Sequence, residues 1–292
     1  MTISRDVIPD PAKRKTLRMA AGTSGLAFGA IFLEAGAASK ANAQILESGI
    51  DPKSVLARIK KDGKIRVGYA QTVPWFNKNA ATGKFEGIYY DVIEKLAAEL
   101  EVKTEYHEVT WANATVGLRK GDYDIFGSSL FYTIPRALVV SYVYPMWRQG
   151  RIALTHKDNA SRFKSAADFN KPDVTFSVNV GSSEENWVKA TFPQAKIITT
   201  SGNIALSAEP VRAKKADLWI TGDLAVRLFA QKNPWAHVID GDRPIGLTPN
   251  TWAIRYGDPE WKAFLDMWAN FVVGSGYMKE RYDHYWNQLS KT

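Results

Sequence analysis

The chain has no cysteine in 292 residues, which removes disulfides, thiolate metal sites and cysteine nucleophiles from consideration. Its four histidines, His107, His156, His237 and His284, are dispersed, with no i,i+4 pair and no carboxylate at ligand spacing. No histidine-based metal or catalytic centre is therefore expected. Beyond Gln44 there is no G-x-S-x-G elbow, no P-loop and no dinucleotide fingerprint. The paired acids Glu184-Glu185 are adjacent, and neighbours on a helix point apart, so they form no acid/base couple by themselves. Basic charge is not massed either. Of the formal +8, residues 1–43 hold +3 (six Lys/Arg against three acids), and the remaining +5 comes from scattered lysines with no basic run beside exposed aromatics. A nucleic-acid partner is not indicated. These absences point away from an enzyme with a resident cofactor or metal: neither is expected.

What is present is a globular composition with room for two modest domains. Apolar residues make up 45% and tryptophans number ten, which is many. The N-terminus reads as an export signal over 1–43. Lys13-Arg14-Lys15 ends a basic region, Met19 to Leu33 is mildly apolar and rich in Gly and Ala, and Ala41-Asn42-Ala43 is a small-x-small cleavage site. The mature chain is expected to begin at Gln44. Ala12 to Arg18 (A-K-R-K-T-L-R) is similar to a twin-arginine signal with Lys in place of the first Arg, so both that route and ordinary secretion stay open. The apolar run is too short and glycine-rich to span a bilayer comfortably, and no other segment approaches that length. An exported, soluble protein of the periplasm is the expectation.

Beyond residue 53, strands and helices alternate. A surface helix is predicted over Ser54 to Lys61, a strand over Lys64 to Ala70, and a helix from Gly87 to Leu100 with Val92, Ile93, Leu96, Ala97 and Leu100 on one face. A strand over Val102 to Val109, a helix over Ala114 to Lys120 and a short strand over Tyr123 to Phe126 complete a β-α-β-α-β set. A second set follows: strands over Arg151 to His156, Val174 to Val180, Lys196 to Thr200 and Leu218 to Thr221, with helices over Glu184 to Thr191, Ile204 to Lys214 and Leu224 to Gln231. The chain closes with a strand over Thr251 to Arg255 and a helix opened by Asp258-Pro259, whose expected inner face is Trp261, Phe264, Leu265, Trp268, Phe271 and Val272. This alternation implies an α/β fold of mainly parallel sheets flanked by helices.

The segment Gly121 to Arg136 is the most informative. Its strand ends in Gly127-Ser128-Ser129, an open backbone with two hydroxyls. Thr133 suits a helix N-cap and Pro135 its first turn, which sets Arg136 at the positive end of a helix. A cation there opposes the dipole, so an incoming anion is one reason for it; a reach to solvent or to a surface carboxylate is the other. The second set carries a matching Gly181-Ser182-Ser183 before a helix. Ligands of open α/β sheets bind outside the carboxyl ends of strands, where these two turns can face each other. Ser182 and Glu185 also form a capping box, which accounts for the second turn without a ligand. Trp111 lies at a strand's carboxyl end, placed either to stack on a ligand or to fill the core; Trp75 and Tyr69 are weaker candidates of the same kind. Trp286 and the other tryptophans of the last helices read as packing.

Taken in order, these segments resemble the periplasmic solute-binding proteins of ABC importers, polar amino-acid class. The resemblance runs from about Lys64 to Trp286. It rests on Ile65-Arg66-Val67-Gly68 with Pro74-Trp75-Phe76, on Gly87 to Val92 (with Tyr89 where an acid is usual), on Asp124 through Arg136, on Gly181-Ser182-Ser183 and on Ala253 to Trp268. It implies two α/β lobes joined by two crossing strands, lobe 1 over 44–147 plus 248–292 and lobe 2 over 148–247. The crossings fall near Trp147 to Gly150 and Pro244 to Thr248. It further implies a monomer that binds an amino acid or related carboxylate, without cofactor, and delivers it to a membrane permease. By the same resemblance Arg136 grips the α-carboxylate, Ser128, Ser129, Phe131 and Ser183 assist, and Trp111 covers the side chain. Val73 stands where relatives often have a second aromatic. An aspartate holds the amine in this class. Here Asp223 falls one residue late, so either the loop bulges at Gly222 and Asp223 reaches the amine, or Gly222 takes the position and Asp223 caps the next helix. A cyclohexadienyl dehydratase on the same fold is the alternative from the enzyme class, and a receptor for a non-amino organic acid the alternative from the binding class.

Overall fold

The computed structural model describes residues 49–289; the export segment expected over 1–43 lies outside the described residues. In chain order the first elements are α1 (Val55–Asp62), β1 (Lys64–Tyr69), β2 (Asn77–Lys78), β3 (Phe85–Glu86), α2 (Ile88–Glu99), β4 (Lys103–Glu108) and α3 (Ala114–Lys120). Then come β5 (Ile125–Phe131), α4 (Ile134–Ala137), β6 (Ser141–Tyr142), β7 (Trp147–His156), β8 (Thr175–Asn179), α5 (Ser183–Thr191) and β9 (Lys196–Thr200). The rest are α6 (Glu209–Arg212), β10 (Leu218–Gly222), α7 (Asp223–Lys232), β11 (Ala236–Ile239), β12 (Ile245–Ile254), α8 (Pro259–Gly274) and α9 (Tyr277–Leu289).

The strands run β4-β1-β5-β12-β7-β10-β8-β9. At one end β4, β1 and β5 are parallel, with Val67 opposite both Tyr106 and Ile125. At the other end β10, β8 and β9 are parallel. Between them β12 and β7 pair antiparallel to each other, to β5 and to β10, and Thr248 sits opposite Gln149. These two strands link the halves. Parallel strands need both faces covered, and each half supplies two apolar layers. In the first, Ile65, Val67, Ile93, Leu96, Trp252, Trp261 and Leu265 pack on one face and Trp111, Leu118, Tyr123, Phe126 and Leu130 on the other. In the second, Phe163, Phe169, Phe176 and Phe192 form one layer and Ile152, Leu154, Val211 and Trp219 the other. The result is the two-lobed α/β architecture, and every side chain of this size that is fully buried contributes roughly 1.5–3 kcal/mol.

Local chemistry sets the helix ends. Ser54 Oγ accepts from Leu56 N and caps α1, while Gly63 closes it in the left-handed conformation. Asp258 does double duty: its carboxylate accepts from Trp261 N in α8, and from Ser54 Oγ and Val55 N at the start of α1. Three expectations differ from the structure. The strand expected to stop at Phe126 continues to Phe131, because past an irregularity in register Leu130 and Phe131 pair with Thr251 and Asn250 of β12. The helix expected over 204–214 is a 3-10 turn, Ile204–Ala208, followed by the four residues of α6; Pro210 in the first turn of α6 has no N–H to continue an α-helical ladder from the preceding turn. Phe271 faces solvent at 59% exposure, whereas Trp261, Leu265, Trp268 and Val272 form the buried stripe of α8. Among the described residues no helix is long and apolar enough to cross a membrane.

Candidate functional site

The carboxyl ends of β1, β4 and β5 from one half and of β8 and β10 from the other face a common, narrow cavity that is partly open to solvent. Thr72, Trp75, Trp111, Ser129, Phe131 and Arg136 line it from the first half. Ser183, Glu184, Ile204, Thr221, Gly222 and Ala225 line it from the second, and Gln149 from linking strand β7.

Arg136 reaches this cavity from α4, where Thr133 Oγ1 accepts from Arg136 N at 3.3 Å. The helix has only four residues, so its dipole is slight. What distinguishes Arg136 is its surroundings. Its guanidinium donates to Gly181 O across the cleft at 3.0 Å and more weakly to Phe131 O at 3.5 Å, and lies 5.9 Å over the Trp111 ring. Burial pushes its pKa down, opposed by the Tyr142 hydroxyl and by Glu184. Its partners, the two carbonyl oxygens and the Tyr142 hydroxyl, are uncharged, so the charge has no bonded counter-ion within the described residues.

A second arginine, Arg151 on β7, stands behind the wall. It is 2% exposed and sandwiched between Phe131 (4.3 Å) and Trp187 (5.1 Å), an arrangement that uses the guanidinium's flat faces. It donates to Gly246 O at 3.0 Å and Thr248 Oγ1 at 3.2 Å. Its Nε lies 3.7 Å from Glu184 Oε1, and Glu184 Oε2 accepts from Ser183 Oγ at 3.0 Å. Desolvation pushes the Arg151 pKa down and Glu184 holds it up. Arg151 and Glu184 are thus a buried pair. The signal for it was present in the sequence: Gln149 and Arg151 stand two apart on one strand face, directly before the apolar run Ile152-Ala153-Leu154.

Six of the nine candidates from sequence, Trp75, Trp111, Ser129, Phe131, Arg136 and Ser183, come together on the cavity wall. Three lie elsewhere. Tyr69 is 2% exposed, stacked on Phe76 at 4.7 Å, and its hydroxyl donates to Glu108 Oε2. Ser128 is fully buried and clamps β5 to the end of β1, its Oγ accepting from Ala70 N and donating to Ala70 O. Asp223 starts α7, and its Oδ1 accepts from Leu224 N at 2.9 Å. Gly222, one residue earlier, is the wall residue. A Cβ added to it would stand 2.5 Å from Gln149 Oε1, so the Gln149 amide occupies the space beside it. The turn Gly181-Ser182-Ser183 caps α5 as expected, with Ser182 Oγ accepting from Glu185 N; Glu185 reaches back to Gly181 N instead of Ser182 N. Thr72, Gln149, Glu184, Ile204, Thr221 and Ala225 are wall residues that the sequence did not single out.

The profile of the bacterial extracellular solute-binding proteins, family 3, matches residues 65–288. A cyclohexadienyl dehydratase of Pseudomonas aeruginosa is 24% identical over 233 residues, 80% of this chain and 86% of the relative. The crystal structure of an ancestral amino acid-binding protein, a precursor of cyclohexadienyl dehydratase, is 32% identical with a TM-score of 0.73, covering 80% of this chain and 99% of that one. A binding component of an ABC transporter from Wolinella succinogenes, complexed with lysine, is 26% identical with a TM-score of 0.70 over 76% of this chain and 95% of the other.

Proposed function

The chain belongs to the bacterial extracellular solute-binding proteins of family 3, and on that premise we propose that it is the extracytoplasmic receptor of an ABC importer. Its ligand is an amino acid or related small carboxylate, enclosed when lobe 1 (44–147 plus 248–292) and lobe 2 (148–247) close about the linking strands. The observation that carries the carboxylate reading is Arg136: a half-buried guanidinium on the cavity wall, with only uncharged partners, presents the fork that pairs bidentately with a carboxylate. Trp75, Trp111 and Phe131 supply apolar cover for the ligand's body. The export segment over 1–43 takes the protein to the periplasm, where it works as a monomer with a membrane permease.

The enzyme relative makes a dehydratase the competing reading. Expelling a hydroxyl needs a carboxylic acid that hands over a proton, and Glu184 is the carboxyl group among the described wall residues. Both of its oxygens already face donors, Ser183 Oγ at 3.0 Å and Arg151 Nε at 3.7 Å. That arrangement suits holding a ligand, so we read the chain as a binding protein and not an enzyme.

The test is calorimetric titration of wild type and Arg136→Ala with a panel of amino and organic acids. Losing a buried charged pair costs about 2–5 kcal/mol, so the variant should bind roughly 30- to 5,000-fold more weakly. Its melting temperature without ligand should move little. Affinity equal to wild type would sink the assignment of Arg136 as the carboxylate anchor.

A further inference from the structure

We propose that the ligand carries no ammonium group: it is a small monocarboxylic acid of the 2-hydroxy class. The inference rests on the carboxylate-receptor reading above and comes from counting charge around the cavity. Arg136 and Glu184 line the wall, and Arg151 stands behind Glu184 at 3.7 Å. Arg151 and Glu184 offset each other, which leaves one excess positive charge, at Arg136. A monoanion neutralises it. An amino acid brings its own ammonium with its carboxylate and leaves the enclosed site one positive charge in excess, the costly case for groups removed from water.

The ammonium would also lack an acceptor of the right kind. Apart from Arg136 and from Glu184, whose charge is offset by Arg151 at 3.7 Å and whose Oε2 accepts from Ser183 Oγ, the polar wall is neutral: Thr72, Ser129, Gln149, Ser183 and Thr221. Asp223 is directed to the start of its own helix. Gln149 fills the space beside Gly222, where an acidic side chain at 222 would have stood. Its Nε2 donates to Ser129 Oγ at 3.0 Å, while its Oε1 is buried without a partner. An uncharged acceptor without a partner in this position fits a hydroxyl on the ligand, which donates one hydrogen bond and brings no charge.

The experiment compares matched pairs by calorimetry on protein unfolded and refolded to release any co-purified ligand. The pairs are lactate with alanine, 2-hydroxyisocaproate with leucine, and phenyllactate with phenylalanine. In the pair that binds best, the hydroxy acid should bind at least ten-fold more tightly. An amino acid that binds as tightly as its hydroxy partner, or more so, overturns this inference and leaves the receptor reading standing. If no carboxylate in the panel binds, the receptor reading falls and this inference falls with it. Gln149→Glu supplies the missing negative charge in place, and should shift the hydroxy-to-amino preference at least ten-fold toward the amino acid. An unchanged ratio in a folded Gln149→Glu variant refutes the role given to Gln149, and the wild-type comparison decides the ligand class even where that variant does not fold.

Discussion

Closure of the cleft can be blocked by a single methyl group. Gly181, on the second half, has φ +74°, and a Cβ built there stands 2.5 Å from Ala112 Cα and 2.8 Å from Ala112 N, next to Trp111 on the first half. The obstructing atoms are backbone, so no rotamer change relieves the overlap; the two halves must separate by about an ångström. That separation also stretches the 3.0 Å bond from Arg136 Nη2 to Gly181 O, which crosses the same gap. A hydrogen bond with a charged donor contributes about 1.5–3 kcal/mol. At 1.4 kcal/mol per decade, Gly181→Ala should weaken ligand binding on the order of 10- to 100-fold. The left-handed backbone costs an alanine a further 1–2 kcal/mol or so, but it does so whether the cleft is open or shut. Gly83→Ala separates the two effects, since Gly83 has φ +69° with nothing within 4 Å of its Cβ position. Both variants should melt lower than wild type; only Gly181→Ala should lose affinity. Small-angle scattering should show the radius of gyration of wild type and Gly83→Ala falling on saturation, with Gly181→Ala staying wider. Equal affinity of the two variants would refute the reasoning.

Asp223→Asn tests a buried carboxyl away from the ligand. Burial raises its folded pKa, so its contribution to stability is complete below the unfolded value near about 3.9 and is lost as pH rises through the folded value. The asparagine variant should therefore melt higher than wild type at pH 7, with the gap closing as pH falls from the folded value toward that unfolded value, and ligand affinity should not change; a lower melting temperature at pH 7 contradicts this. Asp258→Ala removes the carboxylate that receives Trp261 N, Val55 N and Ser54 Oγ, so α8 loses its cap and the Ser54-capped start of α1 loses two further bonds. Urea unfolding should show a loss of about 1–3 kcal/mol, one cap plus the bonds at α1, and a loss under 0.5 kcal/mol would mean the carboxylate is replaced by water without cost.

Much of the α/β architecture was legible because its signals are local. The alternation of apolar runs, the caps at Ser54, Thr133 and Asp258 and the stripe Trp261, Leu265, Trp268 all act within a few residues of one another. Where reading failed, the deciding partner was distant. Whether the chain after Phe126 ends its strand or continues to Phe131 depends on β12, more than a hundred residues later, which pairs with Leu130 and Phe131. Phe271 lies at the margin of the α8 stripe beside half-buried Phe264, and the sequence of α8 marks it as apolar without saying which margin the rest of the fold leaves open.

The site divides in the same way, and the division explains why its charge was the hardest part to read. Arg136 drew notice through Thr133 and Pro135, yet a four-residue helix exerts too little field to make its charge special. The setting does that: Trp111 from one loop, Gly181 from another half, and burial imposed by both. Glu184 was read as one of two adjacent acids pointing apart, which is true of the helix and silent about Arg151, thirty-three residues earlier on a strand that reaches it from behind. Adjacent glutamates then have different fates: Glu185 folds back on Gly181 N and pairs with Lys189 at the surface, while Glu184 is 4% exposed against the wall. Gly222 carries the same lesson in reverse. As a residue it offers no chemistry, and only the Gln149 amide, whose Oε1 would stand 2.5 Å from a Cβ added there, turns it into a statement about the ligand. Spacing along the chain finds which residue types can bind an anion. Whether the site has charge to spare for a cation beside that anion depends on pairs brought together by folding, so ligand class has to be argued from the closed cleft.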